Sequence, residues 1–226
     1  MKPILFNTEM VQAILEGRKT VTRRVVKLDK FKDGLNLYTG RCALGIGLFD
    51  AKTCMRVTAP PYAAGDILYV RETWRAWSCS ECEGDCVADN GNGHCNGAKY
   101  LYKADGEIEG IKWKPSIHMP KAAARIFLKV TDVRVEQLQD MTSKEDFKKE
   151  GIYDDNTYPT DRSIKLHPMC QGGWTKEAYK ERFEMIWNST LKKDQLSNYG
   201  WAANPYVWVI EFERISKEEA EHGETN

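Results

Sequence analysis

Two hydrophobic periods alternate along this 226-residue chain, and each change of period marks an element. Met10, Val11, Ile14 and Leu15 recur at helical spacing. They predict a helix over Glu9 to Glu16, with Asn7 or Thr8 as its cap and Gly17 as its stop. The next run, Arg18 to Val26, mixes β-branched residues with basic and hydroxyl ones and predicts an entry loop leading into a strand. Ile67-Leu68-Tyr69-Val70 follows a Gly65-Asp66 turn and reads as a buried strand ending on Arg71 and Glu72. A short strand at Tyr100 to Lys103 closes on Asp105-Gly106. Arg125 to Leu138 is the longest strand signal, with Ile126, Leu128 and Val130 on one face and Phe127, Lys129 and Thr131 on the other. Thr142 and Glu145 have the spacing of a capping box that opens a short helix to Glu150, with Gly151 as its stop. Thr175 starts a helix carrying Tyr179, Phe183, Ile186 and Trp187 on one face, and Tyr206 to Glu213 is a closing strand.

Between these elements the periodicity weakens twice. Residues 27–61 read as an insertion with a hairpin around Arg41 to Thr58, and residues 74–99 as a second, cysteine-rich one. Residues 216–226 read as an acidic, frayed tail. No internal repeat or Pro- or Ser-rich linker interrupts the chain. The expected architecture is therefore α+β: one mostly β domain over 1–215, decorated by two insertions and a few helices.

Composition narrows the classes. Lys plus Arg number 33 and so do Asp plus Glu, which excludes a histone-like bulk field and leaves nucleic acid to a local patch. The charge is zoned: residues 1–30 hold seven basic against three acidic side chains, and 111–135 hold six against one. Residues 136–160 reverse this, with seven acidic against three basic. Such zoning describes either solvated faces or a basic cleft with Trp74, Trp77, Trp113 and Trp201 available to stack on bases. No apolar run is long enough for a bilayer span, and the first residues lack the apolar stretch of a signal peptide. A cytoplasmic protein with no membrane partner is expected.

Four of the seven cysteines, Cys79, Cys82, Cys86 and Cys95, crowd into one stretch. A C-x2-C pair aims two thiolates at one point, and two further sulfurs would complete a structural zinc site; a disulfide-bearing or unliganded loop is the other reading. Cys42, Cys54 and Cys170 read as small buried apolar residues.

The stretch richest in chemistry is Gly17-Arg18-Lys19-Thr20-Val21-Thr22-Arg23-Arg24. Lys19 can accept a hydroxyl proton if desolvation lowers its pKa; otherwise this is a basic loop entering a strand. His118, between Pro115 and Pro120, reads as a ligand contact or as a hydrogen-bonded structural histidine.

Gly17, Lys19 and Arg24 in a G-x-K-x-x-x-x-R pattern precede the Gly65-Asp66 and Arg71-Glu72 strand, the long alternating strand, a helix ending Glu150-Gly151, and a V-W-V-I-E-F strand. In this order the elements resemble the ASCH family of PUA-like small β-barrels. The chain looks closest to the larger ASCH-domain proteins frequent in phage and prophage genomes. The resemblance implies a central basic cleft fitted to RNA or a modified nucleoside, with Gly17, Arg18, Arg24, Arg71, Trp74 and His118 as ligand-binding candidates. One small bacterial branch with a similar G-R-K-T-x-T-x-R loop is an amidohydrolase acting on N4-acetylcytidine. That likeness places its lysine on Lys19, its threonine on Thr22 and its glutamate on Glu150, with Glu72 as a second candidate. Lys19 would take the Thr22 proton, Thr22 would attack the amide carbonyl, and the glutamate would pass a proton to the leaving amine. Arg24 or Arg71 would stabilise the oxyanion or hold a phosphate. Single-stranded RNA cleavage by Lys19, Arg24 and Glu150, and a zinc-stabilised interaction domain without a nucleotide ligand, are the remaining expectations.

Overall fold

The computed structural model describes residues 1–28, 37–42, 45–76, 100–152 and 175–223. Cys79, Cys82, Cys86 and Cys95 lie outside them, as do Trp77 and Cys170. The described elements are a mixture of strands and short helices, which is the α+β class.

In chain order, β1 (Lys2–Leu5) leads to α1 (Thr8–Leu15), whose cap Asn7 accepts a hydrogen bond from the Met10 amide at 2.8 Å. Val11, Ala13 and Ile14 are the buried stripe of α1. Gly17 ends it at φ +74, in the left-handed region, with nothing within 4 Å of where a Cβ would stand. Gly17→Ala is therefore expected to cost only the conformational penalty of an L-residue there, about 1 kcal/mol. Thermal unfolding of Gly17→Ala and Gly17→Asn checks this, with asparagine the milder of the two.

Then follow β2 (Val21–Val25), β3 (Leu37–Cys42), β4 (Gly45–Asp50), β5 (Arg56–Thr58), β6 (Ile67–Arg71), β7 (Trp74–Ala76), β8 (Tyr100–Tyr102) and β9 (Phe127–Gln137). The chain closes with α2 (Lys144–Lys149), α3 (Lys176–Ser189), α4 (Leu196–Tyr199), β10 (Tyr206–Ile215) and α5 (Lys217–His222). Five strands hydrogen-bond in the order β1-β6-β9-β10-β2. Among the described residues that order is open, with β1 and β2 as edges, so the closed small barrel expected from the sequence is replaced by an open sheet. The hairpin expected near Arg41 is a three-stranded antiparallel sheet, β3-β4-β5.

The chain divides into two compact units. One comprises Met1–Glu16, Asp66–Lys129 and Arg214–Asn226. In it β1 runs parallel to β6, β6 pairs antiparallel with the start of β9, and β7 pairs with β8. Trp74, Met119 and Ala123 form a small core there, flanked by Tyr100 and Tyr102. The acidic end expected as a frayed tail is instead α5, because Ser216 and Glu219 form a reciprocal capping box and Ala220 is fully buried.

The other unit comprises Gly17–Gly65 and Val130–Glu213. In it β2 pairs antiparallel with β10, with Thr22 opposite Ile210 and Arg24 opposite Trp208. Val21, Val207 and Val209 pack against Phe147 of α2 and Tyr179, Phe183 and Trp187 of α3. Phe183 is the hub, with ring centroids 5.8 Å from Phe147 and Trp201 and 6.1 Å from Trp187. Aromatic packing of this kind dominates core energetics, and here it seats α2 and α3.

The capping box of α2 is displaced by one residue from the expected Thr142 and Glu145. Ser143 Oγ accepts from the Asp146 amide at 3.1 Å, and the Asp146 carboxylate accepts from the Ser143 and Thr142 amides. This register makes Glu150 the C-terminal cap residue and gives Gly151 a φ of +91.

Candidate functional site

The basic loop after α1 docks on the C-terminal end of α2. The Thr20 amide donates to Lys149 O at 2.9 Å, Arg18 Nη1 donates to Gly151 O at 2.8 Å, and Lys19 and Glu150 form an antiparallel bridge. Two chain reversals, at Gly17 and Gly151, free these segments to lie side by side.

At the centre of this contact Lys19 is 2% exposed and Glu150 7%. Lys19 Nζ donates to Glu150 Oε2 at 2.6 Å, to Val21 O at 2.7 Å and to Glu150 O at 2.9 Å. The other carboxylate oxygen, Glu150 Oε1, accepts from Arg23 Nη1 at 3.0 Å. Arg23 Nη2 lies 3.7 Å from Glu136 Oε2 on β9. Glu136 in turn pairs with Arg134, which also reaches Glu211 on β10. An ionic chain thus runs from the buried lysine to the half-exposed surface of the sheet.

Burial pushes the Lys19 pKa down from its usual 10.5; the Glu150 carboxylate opposes this, and the charges of Arg24 and Arg23 add to the fall. Burial likewise lowers the Arg24 pKa, against the pull of Tyr62 and Glu150. Lys19 and Arg23 therefore bond one buried carboxylate, whose charge is also felt by Arg24 of the same short run. Alternation along β2 puts Arg23 on the face of Val21 and Val25, and Thr22 with Arg24 on the other. Thr22 is 2% exposed and Arg24 half-buried.

The remaining candidates lie in the unit that contains β6 and have partners there. Glu72, 1% exposed, receives Arg125 Nε and Nη2 on its two oxygens, each at 3.0 Å. Burial raises the Glu72 pKa, and Arg125 pulls it back. Arg71 donates to Met119 O at 2.9 Å and to Ile117 O, tying β6 to the turn that carries His118. His118 is exposed. Trp74 is a buried core residue with Lys114 Nζ 5.4 Å from its ring centroid, which removes it as an open stacking platform. Its indole Nε1 has no hydrogen-bond partner among the described residues.

Arg23 and Glu136 were not singled out in the sequence. Arg23 stands between Val21 and Val25 on the apolar face of a strand, a position where a cation needs a buried partner, and that parity is the signal that could have found it. Exposed Cys54 departs from the buried expectation: it occupies a left-handed turn position at φ 54 after β4. Among the described residues no group of three His, Cys, Asp or Glu side chains is placed to hold a metal ion, and no helix is long and apolar enough to cross a membrane. No known protein family, curated protein or solved structure matches the chain.

Proposed function

We propose that the chain binds RNA or a modified nucleoside at the Lys19–Glu150 site. The observation that carries this reading is the shared carboxylate, with Lys19 Nζ on one oxygen and Arg23 Nη1 on the other, both buried. Ionic clusters of this kind seldom improve stability over apolar packing of the same shape, and buried groups with perturbed pKa values concentrate at functional sites. The resemblance to the ASCH family assigns a nucleoside or RNA to the same residues.

The test is titration of wild type, Arg24→Gln and Lys19→Met with single-stranded RNA and with N4-acetylcytidine at several salt concentrations. Arg24→Gln is expected to weaken RNA binding about tenfold, as loss of one charge-assisted contact does, and to reduce the salt slope by about one. Absence of wild-type binding to either ligand, or equal binding by all three proteins, overturns the reading.

One observation favours a hydrolytic second reading: Lys19 and Glu150, two of the three residues that the resemblance assigns to the amidohydrolase, meet at 2.6 Å, with Thr22 buried nearby in sequence on the other face of β2. In that reaction the Thr22 hydroxyl proton moves to Lys19 Nζ as the Oγ–carbon bond forms. As the amide C–N bond breaks, that same proton passes from Lys19 through Glu150 to the leaving amine, and water then hydrolyses the acyl-threonine ester, which returns Thr22 to its hydroxyl form. Acetate release from N4-acetylcytidine by wild type, lost in Thr22→Ala, supports it; no release by wild type ends it.

A further inference from the structure

We infer that Arg23 is a positioning residue for the Lys19–Glu150 pair: by holding Glu150 Oε1 it reserves Oε2 for Lys19 and divides the carboxylate's charge between two cations. This rests on the site proposed above and adds to it a residue that acts through Glu150.

The geometry is one-sided in an informative way. Glu150 caps α2, so its backbone is fixed by Gly151 and by the bridge to Lys19. Among the described residues its carboxylate torsion is defined by Arg23 Nη1 at 3.0 Å on Oε1 and by Lys19 Nζ at 2.6 Å on Oε2. Arg23 is itself anchored from the far side by Glu136, whose side chain is 26% exposed. Asp146 of α2 feels the Arg23 charge as well. Among the described residues the charged groups facing Arg23 are therefore Glu150 and Asp146 from the α2 side, Glu136 from β9, and Lys19 across the shared carboxylate, while Lys19 itself feels Glu150, Arg24 and Arg23. Arg23 Nε is buried with no partner among the described residues, a cost that a side chain placed only for stability would avoid.

Two opposite consequences follow for Lys19. Removing the Arg23 cation returns the whole carboxylate to Lys19 and deletes a repulsion, so Lys19 holds its proton to higher pH. Removing the Glu136 anion leaves Arg23 to Glu150 alone, so Lys19 competes with a stronger claim on the shared carboxylate and loses its proton at lower pH.

The experiment follows the side-chain carbon resonance of Lys19 across the alkaline range in free wild type, Arg23→Gln, Arg23→Lys and Glu136→Gln, using protein labelled at lysine. The expected result is an upward shift for Arg23→Gln, a downward shift for Glu136→Gln, and a midpoint near wild type for Arg23→Lys. Glu136→Gln is at the margin of the cluster and keeps the test alive should Arg23→Gln fail to fold. A Lys19 midpoint that is unchanged in Glu136→Gln, or that moves the same way in Glu136→Gln and Arg23→Gln, overturns the inference and leaves Arg23 as a structural tie. In binding, Arg23→Gln is expected to weaken N4-acetylcytidine about tenfold by loosening Glu150. Failure of wild type to bind any nucleoside would remove the function proposed above while the titration, read in the free protein, still decides the role of Arg23.

Discussion

Glu150→Ala is expected to destabilise the fold by about 3–5 kcal/mol at neutral pH, the range for removing one partner of a buried ion pair. The side chains of Lys19, Arg23 and Glu150 are 0%, 3% and 5% exposed, so water cannot replace the lost carboxylate without opening the contact between the basic loop and α2. Glu150→Gln keeps the shape and an acceptor for Lys19 but not the charge, and is expected to fall between wild type and alanine. The pH dependence has a definite sign. Burial depresses the Lys19 pKa below 10.5, so between the depressed value and 10.5 the unfolded chain binds a proton that the folded chain does not. Stability from this group is present above 10.5 and is lost as pH falls through the folded value. Without Glu150 the depression deepens, so the penalty of Glu150→Ala shrinks as the pH is raised. Urea unfolding of the three proteins at neutral and alkaline pH measures this. An equal penalty at both would mean that Lys19 is not the group left uncompensated.

The sequence marked both halves of this site, though not their meeting. Gly17 and Gly151 announce helix ends, and both sit at positive φ. The adjacent Lys19 and Glu150 then had to lie at chain reversals, where a side chain can turn inward. The bridge between them joins residues 131 positions apart, and no local pattern encodes such a pairing. Arg23 was harder to see because three consecutive charged or hydroxyl residues, Thr22 to Arg24, hide the alternation that places it beside Val21 and Val25.

The strands show the same division. The alternation of β9 was legible from Leu128 to Val130, but its buried positions then change parity, to Val133 and Val135. Such a change depends on what covers each face, which the strand's own residues do not state. Strand β1 carried no signal because four residues form a strand only when a partner exists, here β6 in parallel. The open sheet departs from a barrel for the same reason: closure is decided by which edges meet, and β1 and β2 are not hydrogen-bonded to each other among the described residues. Helix α5 was readable from Ser216 and Glu219, a capping spacing outweighed by the acidic composition around it.

Arg125→Met is expected to cost about 2–4 kcal/mol at neutral pH, and most of that cost should disappear on acidification. Arg125 supplies both hydrogen bonds to the Glu72 carboxylate at 3.0 Å and a third to Asp105 at 2.8 Å, while its guanidinium lies 3.9 Å from the Tyr102 ring centroid. The magnitude is that of stranding a buried charged acceptor whose charge-assisted partners are removed. Glu72 escapes the penalty by taking a proton. Burial already raises its pKa above 4.5, so its contribution to stability is fully present below 4.5 and is lost as pH rises through the folded value. Removing Arg125 takes away the main force holding that value down, which widens the window and moves it toward neutrality. The double variant Glu72→Gln with Arg125→Met carries no stranded charge and is expected to be more stable than Arg125→Met alone at neutral pH. Urea midpoints for the three proteins at neutral and mildly acidic pH decide the matter. A penalty for Arg125→Met that is independent of pH, or that the second substitution fails to relieve, would place the loss in the Tyr102 stacking and the Asp105 contact rather than in the buried carboxylate.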